Sequence, residues 1–304
     1  MDEKSLIDYF KERLQHEVPL AKLTAARVGG PARYFVPAQS AAQLAVDVQF
    51  LWAENIPFFL LGTGSNILVS DAGLDAVVVH NQARLITVDH DSPIPSITAE
   101  SGAILATVAR QAAVHNLTGL EWASTIPGTI GGAVYGNAGA HGSDMQHNLI
   151  LADILHRTKG YLSLSCEQMG YSYRSSVLKR EPGEAIILSA RLAAQKGDED
   201  KIRYLMNQNT EKRRSTQPSG SSTGSTFKNP EGDSAGRLIE EAGLKGTRIG
   251  GVEVNPLHAN FFSNDGTGTA RDYYDLILLV QKTVLEKTGK KLELEIEIIG
   301  DWQV

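Results

Sequence analysis

The chain has 304 residues, 42% of them hydrophobic and 21% charged, with 29 basic against 35 acidic side chains and a formal charge of −6. That is the composition of a soluble globular protein with about two domains' worth of chain, and its acidic balance excludes bulk affinity for nucleic acid while leaving room for a local basic pocket. A single cysteine, Cys166, excludes an internal disulfide framework and a multi-cysteine metal site. No apolar run approaches the ~18 residues of a membrane span, and the charged opening MDEKSLIDYFKERLQHE lacks the apolar stretch of a signal peptide. The expectation is a cytoplasmic protein without nucleic-acid, membrane or obligate protein partners.

In chain order, residues 2–16 pattern as an amphipathic helix with Leu6, Ile7, Phe10 and Leu14 on one face. LTAARVGGPARYFVP follows as strand broken at Gly29-Gly30-Pro31, and Ser40 is placed to cap a helix running to Asn55. Short apolar runs at 58–61, 66–69, 76–79, 85–88 and 96–99 read as strands, and 103–115 as a helix on Ile104, Leu105, Val108 and Ala112. Beyond a glycine cluster, strands are expected at 149–155, 161–165 and 185–193. GDED (197–200) is a charged break and candidate linker, followed by a helix to about Arg214 and a small-residue loop at 215–226. The rest alternates: helix 234–242, strands near 250–254 and 260–263, helix 270–288 and strand 292–299. The class is α+β, with the clearest boundary near 196.

Five segments carry chemistry. In LGTGSNILVSDAG, closely spaced Gly62 and Gly64 free backbone N–H groups to converge on an anion, and Ser65 adds a hydroxyl. It is no dinucleotide fingerprint, because Ile67 stands where a third small residue belongs and no helix pattern follows. In EWASTIPGTIGGAVYGNAGAHGSDM, six glycines fall between Gly128 and Gly142. So little side-chain bulk suits either a large flat ligand with a pyrophosphate or close packing of backbone on backbone. GYSYRSSVLKR offers Arg174 to a carboxylate or to solvent. Ser225, in the turn of STGSTFKNP, is a proton donor, a phosphate ligand or a turn former; without a G-x-S-x-G elbow it is not a nucleophile. In LELEIEIIGDW, Glu293, Glu295 and Glu297 alternate onto one strand face. The eight histidines show no ligand spacing, so no metal is assigned.

Taken in this order, RVGGPARYFV, LGTGSNILVSD, IPGTIGGAVYGNAGA, YSYRSS, GSTFKNP and LELEIEIIG resemble the UDP-N-acetylenolpyruvoylglucosamine reductase family, in its shorter form, over nearly the whole chain. The resemblance implies a non-covalent FAD in an N-terminal domain of the vanillyl-alcohol oxidase (PCMH) type, 1–196, in subdomains of about 1–84 and 85–196. It implies a smaller α+β substrate domain at 197–304. Carried over by motif, Gly62, Thr63, Gly64, Ser65 and Asn66 would line the FAD pyrophosphate, with Gly128, Thr129, Gly131 and Gly132 along the cofactor. Arg174, Ser225 and Glu295 match catalytic positions, and Asn229, Tyr173 and His141 match substrate contacts. His141 stands where the family commonly has a tyrosine, and Glu297 where it commonly has an arginine. The implied reaction is NADPH-dependent reduction of an enolpyruvyl UDP-sugar in peptidoglycan precursor synthesis, with Ser225 giving the proton. The rivals are an FAD oxidase of the same N-terminal architecture, tethered through Cys166 or His141, and a non-catalytic flavin- or nucleotide-binding protein.

Overall fold

The structure, a computed structural model, describes residues 3–302. Contacts sort these residues into two compact units that do not follow chain order: 36–62 with 79–213, and 3–35 with 63–78 and 214–302. The chain passes between them inside the strands Pro31–Ala38 and Leu74–Asn81, between Gly62 and Thr63, and inside the helix Glu199–Thr216. The boundary near 196 remains a reading of the sequence.

The first unit is built on a five-stranded antiparallel sheet in the order Gly160–Ser165, Leu149–His156, Ala185–Ala193, Ser96–Glu100, Ile86–Asp89. The strands form because short β-branched runs alternate: Ile187, Ala190 and Leu192 are buried while Ser189 and Arg191 are less so. Buried Ile97, Ala99, Ala152, Ile154, Ala190 and Leu192 join Leu105, Val108 and Ala112 of the helix Leu105–Val114 in one core cluster. Ser40 caps Ala41–Ala53 as expected, accepting from the Gln43 N–H at 3.2 Å.

One reading changes here. GDED is not a loose linker. The Gly197 N–H donates to the Asn116 carbonyl at 2.8 Å, Asp198 Oδ1 accepts from the Lys201 N–H at 3.0 Å, and Glu199 and Asp200 open the helix Glu199–Thr216, where carboxylates suit the positive end of the helix. The glycine cluster, to which the sequence assigned no element, takes a defined form. It contains the helix Ile130–Gly136, which buries Ile130, Ala133 and Val134 and stops at Asn137 in the left-handed region (φ 47°).

The second unit has a three-stranded antiparallel sheet, Arg248–Ile249, Val252–Val254 and Phe262–Asn264. The helix Ala270–Thr288 shares its core, burying Tyr273, Leu276, Ile277, Val280 and Val284 at helical spacing. Thr269 and Asp272 form a capping box at its start, and the Asp71 carboxylate accepts from the N–H groups of Ala270 (3.0 Å) and Arg271 (2.9 Å). Phe262 stands between Phe227 and Tyr273, at ring separations of 6.0 and 5.7 Å.

The N-terminal helix is shorter than its pattern. It covers Glu3–Phe10 and buries Leu6 and Phe10, but Lys11 at φ 50° turns the chain, and Leu14 lies beyond a 3-10 turn rather than on the helix. The expected strand 292–299 is regular only at Glu297–Ile299, which runs parallel to Ile67–Val69; Leu294 makes a single bridge to Phe227 instead. Among the described residues no helix is long and apolar enough to cross a membrane.

Candidate active site

In the first unit, Gly62 ends the strand Phe58–Leu61. A Cβ there would lie 2.9 Å from Thr129 Oγ1, so only glycine lets this backbone approach the residue that caps the glycine-rich helix. Thr129 Oγ1 accepts from the Gly132 N–H at 3.4 Å, and the Gly131 N–H donates to Ser101 O at 2.8 Å. A Cβ on Gly131 would crowd Ser101 at 3.1 Å, whereas one on Gly132 would meet nothing closer than 3.8 Å. Gly131 therefore serves close packing, while exposed Gly132 leaves room. Gly128 supplies the φ of 126° that turns the chain into the helix.

The loop bearing Arg174 is fastened to the same helix. Tyr171 Oη donates to Val134 O at 2.9 Å, Ser176 Oγ to Tyr135 O at 2.7 Å, and Asn137 Nδ2 to Ser172 O at 3.2 Å. A Ser172–Ser175 bridge closes the turn, with Arg174 at φ 56°. Arg174 Nη2 donates to Gly139 O at 3.2 Å and its guanidinium lies 5.2 Å from the ring centre of Tyr173, which is itself exposed. The guanidinium is thus held by one backbone carbonyl and one ring, which orients its planar fork. Tyr171, Asn137 and Ser176 were missed in the sequence, where nothing in their spacing marks them as anchors. His141 is half-buried at φ 54°, with Nε2 3.3 Å from Thr125 Oγ1. Burial, and then the charges of Lys212 and Arg213, pull its imidazole below the ordinary value, which favours the neutral form. Burial pushes the Cys166 thiol up, with Asp144 adding to it, and Sγ lies 3.2 Å from Gln146 O.

In the second unit, Thr63, Gly64, Ser65 and Asn66 form the turn before Ile67–Val69. Gly64 is buried at φ 59°, and a Cβ on it would sit 2.3 Å from Leu23 O. Its carbonyl accepts from the Ala25 N–H at 2.9 Å, and Thr63 Oγ1 is 3.5 Å from Ser65 Oγ. Among the described residues, the backbone N–H groups of Thr63, Gly64 and Ser65 donate to no protein acceptor. Asn66 is used differently: its Nδ2 donates to Glu295 O at 3.1 Å and its carbonyl accepts from the Glu297 N–H at 2.9 Å.

The segments that carry Ser225 and Glu295 are bonded to each other in this unit. Ser225 bridges Phe261, and the next residue, Thr226, accepts from the Glu295 N–H at 2.9 Å. Ser225 is half-buried, and among the described residues its hydroxyl has no protein partner. Lys228 pairs with Glu293 at 3.5 Å. Asn229 Oδ1 accepts from the Ala235 N–H at 3.0 Å, which fastens the start of the helix Ala235–Glu241.

Residues 32–160 match a family model described as an FAD binding domain, and residues 216–299 match the C-terminal domain of UDP-N-acetylenolpyruvoylglucosamine reductase. A reductase of that name from Caldanaerobacter subterraneus is 41% identical over 97% of this chain and 98% of its own length. Another, from Streptococcus thermophilus, is 41% identical over 98% of each chain. The chain belongs to the UDP-N-acetylenolpyruvoylglucosamine reductase family. The crystal structure of the reductase from Thermus caldophilus superimposes with a TM-score of 0.80 at 33% identity, covering 94% of this chain and 98% of that one. The α+β class with an FAD-binding domain and a reductase C-terminal domain is therefore the architecture of this chain.

The residues present suit that cofactor. A pyrophosphate needs backbone donors and no side-chain bulk. In the second unit the N–H groups of Thr63–Ser65, which have no protein acceptor among the described residues, suit the first; taken by itself in the first unit, Gly132 with its open Cβ direction suits the second.

Proposed function

We propose that this chain catalyses the FAD-dependent reduction of UDP-N-acetyl-3-O-(1-carboxyvinyl)-glucosamine to UDP-N-acetylmuramate with NADPH, in peptidoglycan precursor synthesis. Gly62, Thr63, Gly64 and Ser65 would hold the pyrophosphate through backbone N–H groups, and Gly128, Thr129, Gly131 and Gly132 would border the rest of the cofactor. Bound there, FAD would supply the redox chemistry, a hydride drawn from NADPH and delivered to the terminal vinyl carbon of the substrate. The electron pair of the C=C bond then rests on the carbon bearing the carboxylate, and that carbon must take a proton.

Each chain residue has one task in this reading. Arg174, anchored on Gly139, faces the carboxylate with a planar fork and offsets the charge that grows beside it. Ser225 gives its hydroxyl proton to carbon; a serine is a weak acid, so this works because the acceptor is strongly basic and the donor already in place. Glu295, on the adjoining segment, orients or reprotonates the serine. Asn229, Tyr173 and His141 would contact the UDP-sugar. The domain division, 1–196 with 197–304, belongs to this reading, and the two family matches fall on either side of it.

The observation that carries the proposal is the Glu295 N–H bonded to Thr226 O, one residue from Ser225, whose hydroxyl has no protein partner among the described residues. The test is anaerobic. The yellow protein should release FAD on acid precipitation, bleach with NADPH, and recover its colour on adding the enolpyruvyl UDP-sugar, whose mass rises by two hydrogens. Flavin that NADPH bleaches and only oxygen restores would favour the oxidase reading; flavin that never bleaches would favour a binding protein.

A further inference from the structure

Asn260 is 3% exposed, and all its polar atoms are in use. Its Nδ2 donates to Phe227 O at 2.8 Å and its Oδ1 accepts from the Phe227 N–H at 2.9 Å. Its own carbonyl accepts from the Thr226 N–H at 2.8 Å, and its N–H donates to His258 Nδ1 at 3.3 Å. Both side-chain bonds thus fall on one peptide neighbour of the segment that carries Ser225.

The reason lies in how that segment is paired. Ser221 bridges Asn264 and Ser225 bridges Phe261, but there the backbone ladder stops. The chain before Phe261 turns away, closed by the Phe261 N–H on His258 O at 2.9 Å. Phe227, fully buried, would then face this side with both backbone groups unpaired, which a buried peptide does not tolerate. The Asn260 amide supplies a donor and an acceptor in the arrangement of a missing strand residue. On the opposite side Thr226 O accepts from the Glu295 N–H at 2.9 Å, and the Lys228 N–H donates to Glu293 O at 2.8 Å. The stretch 226–228 is therefore held from both flanks, with Ser225 one residue before it.

We infer that Asn260 is a positioning residue for the Ser225 hydroxyl, its side-chain amide fixing the register of 225–227 between the 260–261 and 293–295 segments. This rests on the reading of Ser225 as proton donor. An apolar residue of the same size would fill the space but release the Phe227 peptide. Proton transfer depends steeply on donor placement, so a small shift at Ser225 reaches the rate.

The test uses the FAD-loaded enzyme and anaerobic stopped-flow on the two half-reactions, with NADPH and then the enolpyruvyl UDP-sugar. Asn260→Asp keeps size and acceptor but sets an oxygen against Phe227 O; Asn260→Ser, which is shorter, carries the same measurement should the first not fold. Flavin reduction by NADPH should stay within about 2-fold of wild type, while reoxidation by substrate slows roughly 10–100-fold. In a Ser225→Ala background the same substitution should cost less than about 3-fold more, since the group it positions is gone. Equal slowing of both half-reactions, or a lower melting temperature with wild-type rates per flavin, assigns Asn260 a purely structural role and overturns the inference. Full additivity with Ser225→Ala overturns it too. Should Ser225→Ala alone reoxidise at the wild-type rate, the proton-donor reading falls and this inference with it.

Discussion

Gly132→Ala separates glycine kept for a ligand from glycine kept for the fold. Gly132 lies in the helix Ile130–Gly136, is exposed, and has no positive φ. A Cβ there meets only Thr129 Oγ1, at 3.8 Å, which is ordinary contact. Alanine in a helix is favoured over glycine by roughly 0.5–1 kcal/mol. The apoprotein should therefore be as stable as wild type or melt about 1–3 °C higher, given a few degrees per kcal/mol for chains of this size. If the cofactor lies on this face, the new methyl stands in its contact layer and pushes it off a backbone donor. A hydrogen bond to a charged group is worth about 1.5–3 kcal/mol, so Kd for FAD should rise roughly 10–150-fold. Titrating apoprotein with FAD by flavin fluorescence, beside thermal melts of the apoprotein, measures both numbers. Undiminished FAD affinity in a fully stable variant would refute the placement of the cofactor at Gly132. Gly64→Ala cannot make this distinction: its Cβ falls 2.3 Å from Leu23 O at φ 59°, so fold and flavin would be lost together.

Ser225→Ala should leave flavin reduction by NADPH near wild type and slow reoxidation by the enolpyruvyl sugar roughly 10²–10⁴-fold, about 3–5 kcal/mol of barrier, in anaerobic stopped-flow; equal slowing of both steps would make Ser225 structural. Arg174→Lys keeps the charge but loses the fork and the stack on Tyr173, so steady-state kcat/KM should fall by at least about tenfold, and wild-type turnover would return the arginine to the surface. Asp71→Ala removes two charge-assisted caps from the helix Ala270–Thr288 and should cost about 1–2 kcal/mol in urea unfolding, with half-reaction rates per bound flavin unchanged. His80, His141 and His258 all titrate below 6.5, each held down first by burial, so the unfolded chain binds more protons than the folded one as pH falls through 6.5. Stability should therefore drop between pH 7 and the lower folded-state values, and His80→Gln should flatten the slope of melting temperature against pH over that window.

Much of the architecture is legible because local pattern and tertiary need agree. The short apolar runs of Phe58–Leu61, Leu149–His156 and Ala185–Ala193 are strands, and Ser40 caps its helix. Where they disagree, the pattern misleads. Ile130–Gly136 is helical despite three glycines, because Thr129 caps it and Ile130, Ala133 and Val134 bury one face. Residues 292–299 alternate like one strand, yet Leu294 pairs with Phe227 while Glu297–Ile299 runs parallel to Ile67–Val69, so the segment changes partner in its middle. No local pattern carries that information. Of the site, Ser225, Arg174 and Glu295 stand out by type and motif. What holds them does not: Asn260, Ser176 and Asn137 act through long-range bonds to backbone, which leave no spacing to read.

The segment LGTGSNILVSD shows why a motif is not a roll of ligand contacts. Within it, Thr63, Gly64 and Ser65 offer backbone donors, while Asp71 spends its carboxylate on the start of the helix Ala270–Thr288. Asn66, grouped by sequence with the pyrophosphate loop, commits its amide to Glu295 O across 229 residues of chain and its carbonyl to the Glu297 N–H. Two bonds thus join the residue after Ser65 to the segment bearing the Glu295 carboxylate, and the Glu295 N–H continues the chain of bonds to Thr226, beside Ser225. A displacement of the glycine turn must therefore either break the Asn66 bonds or carry Glu295 with it. The turn that would bind the phosphates and the segments bearing Glu295 and Ser225 are thus joined by backbone bonds, so on the proposed reading the seating of the cofactor and the placement of these two residues are a single structural requirement.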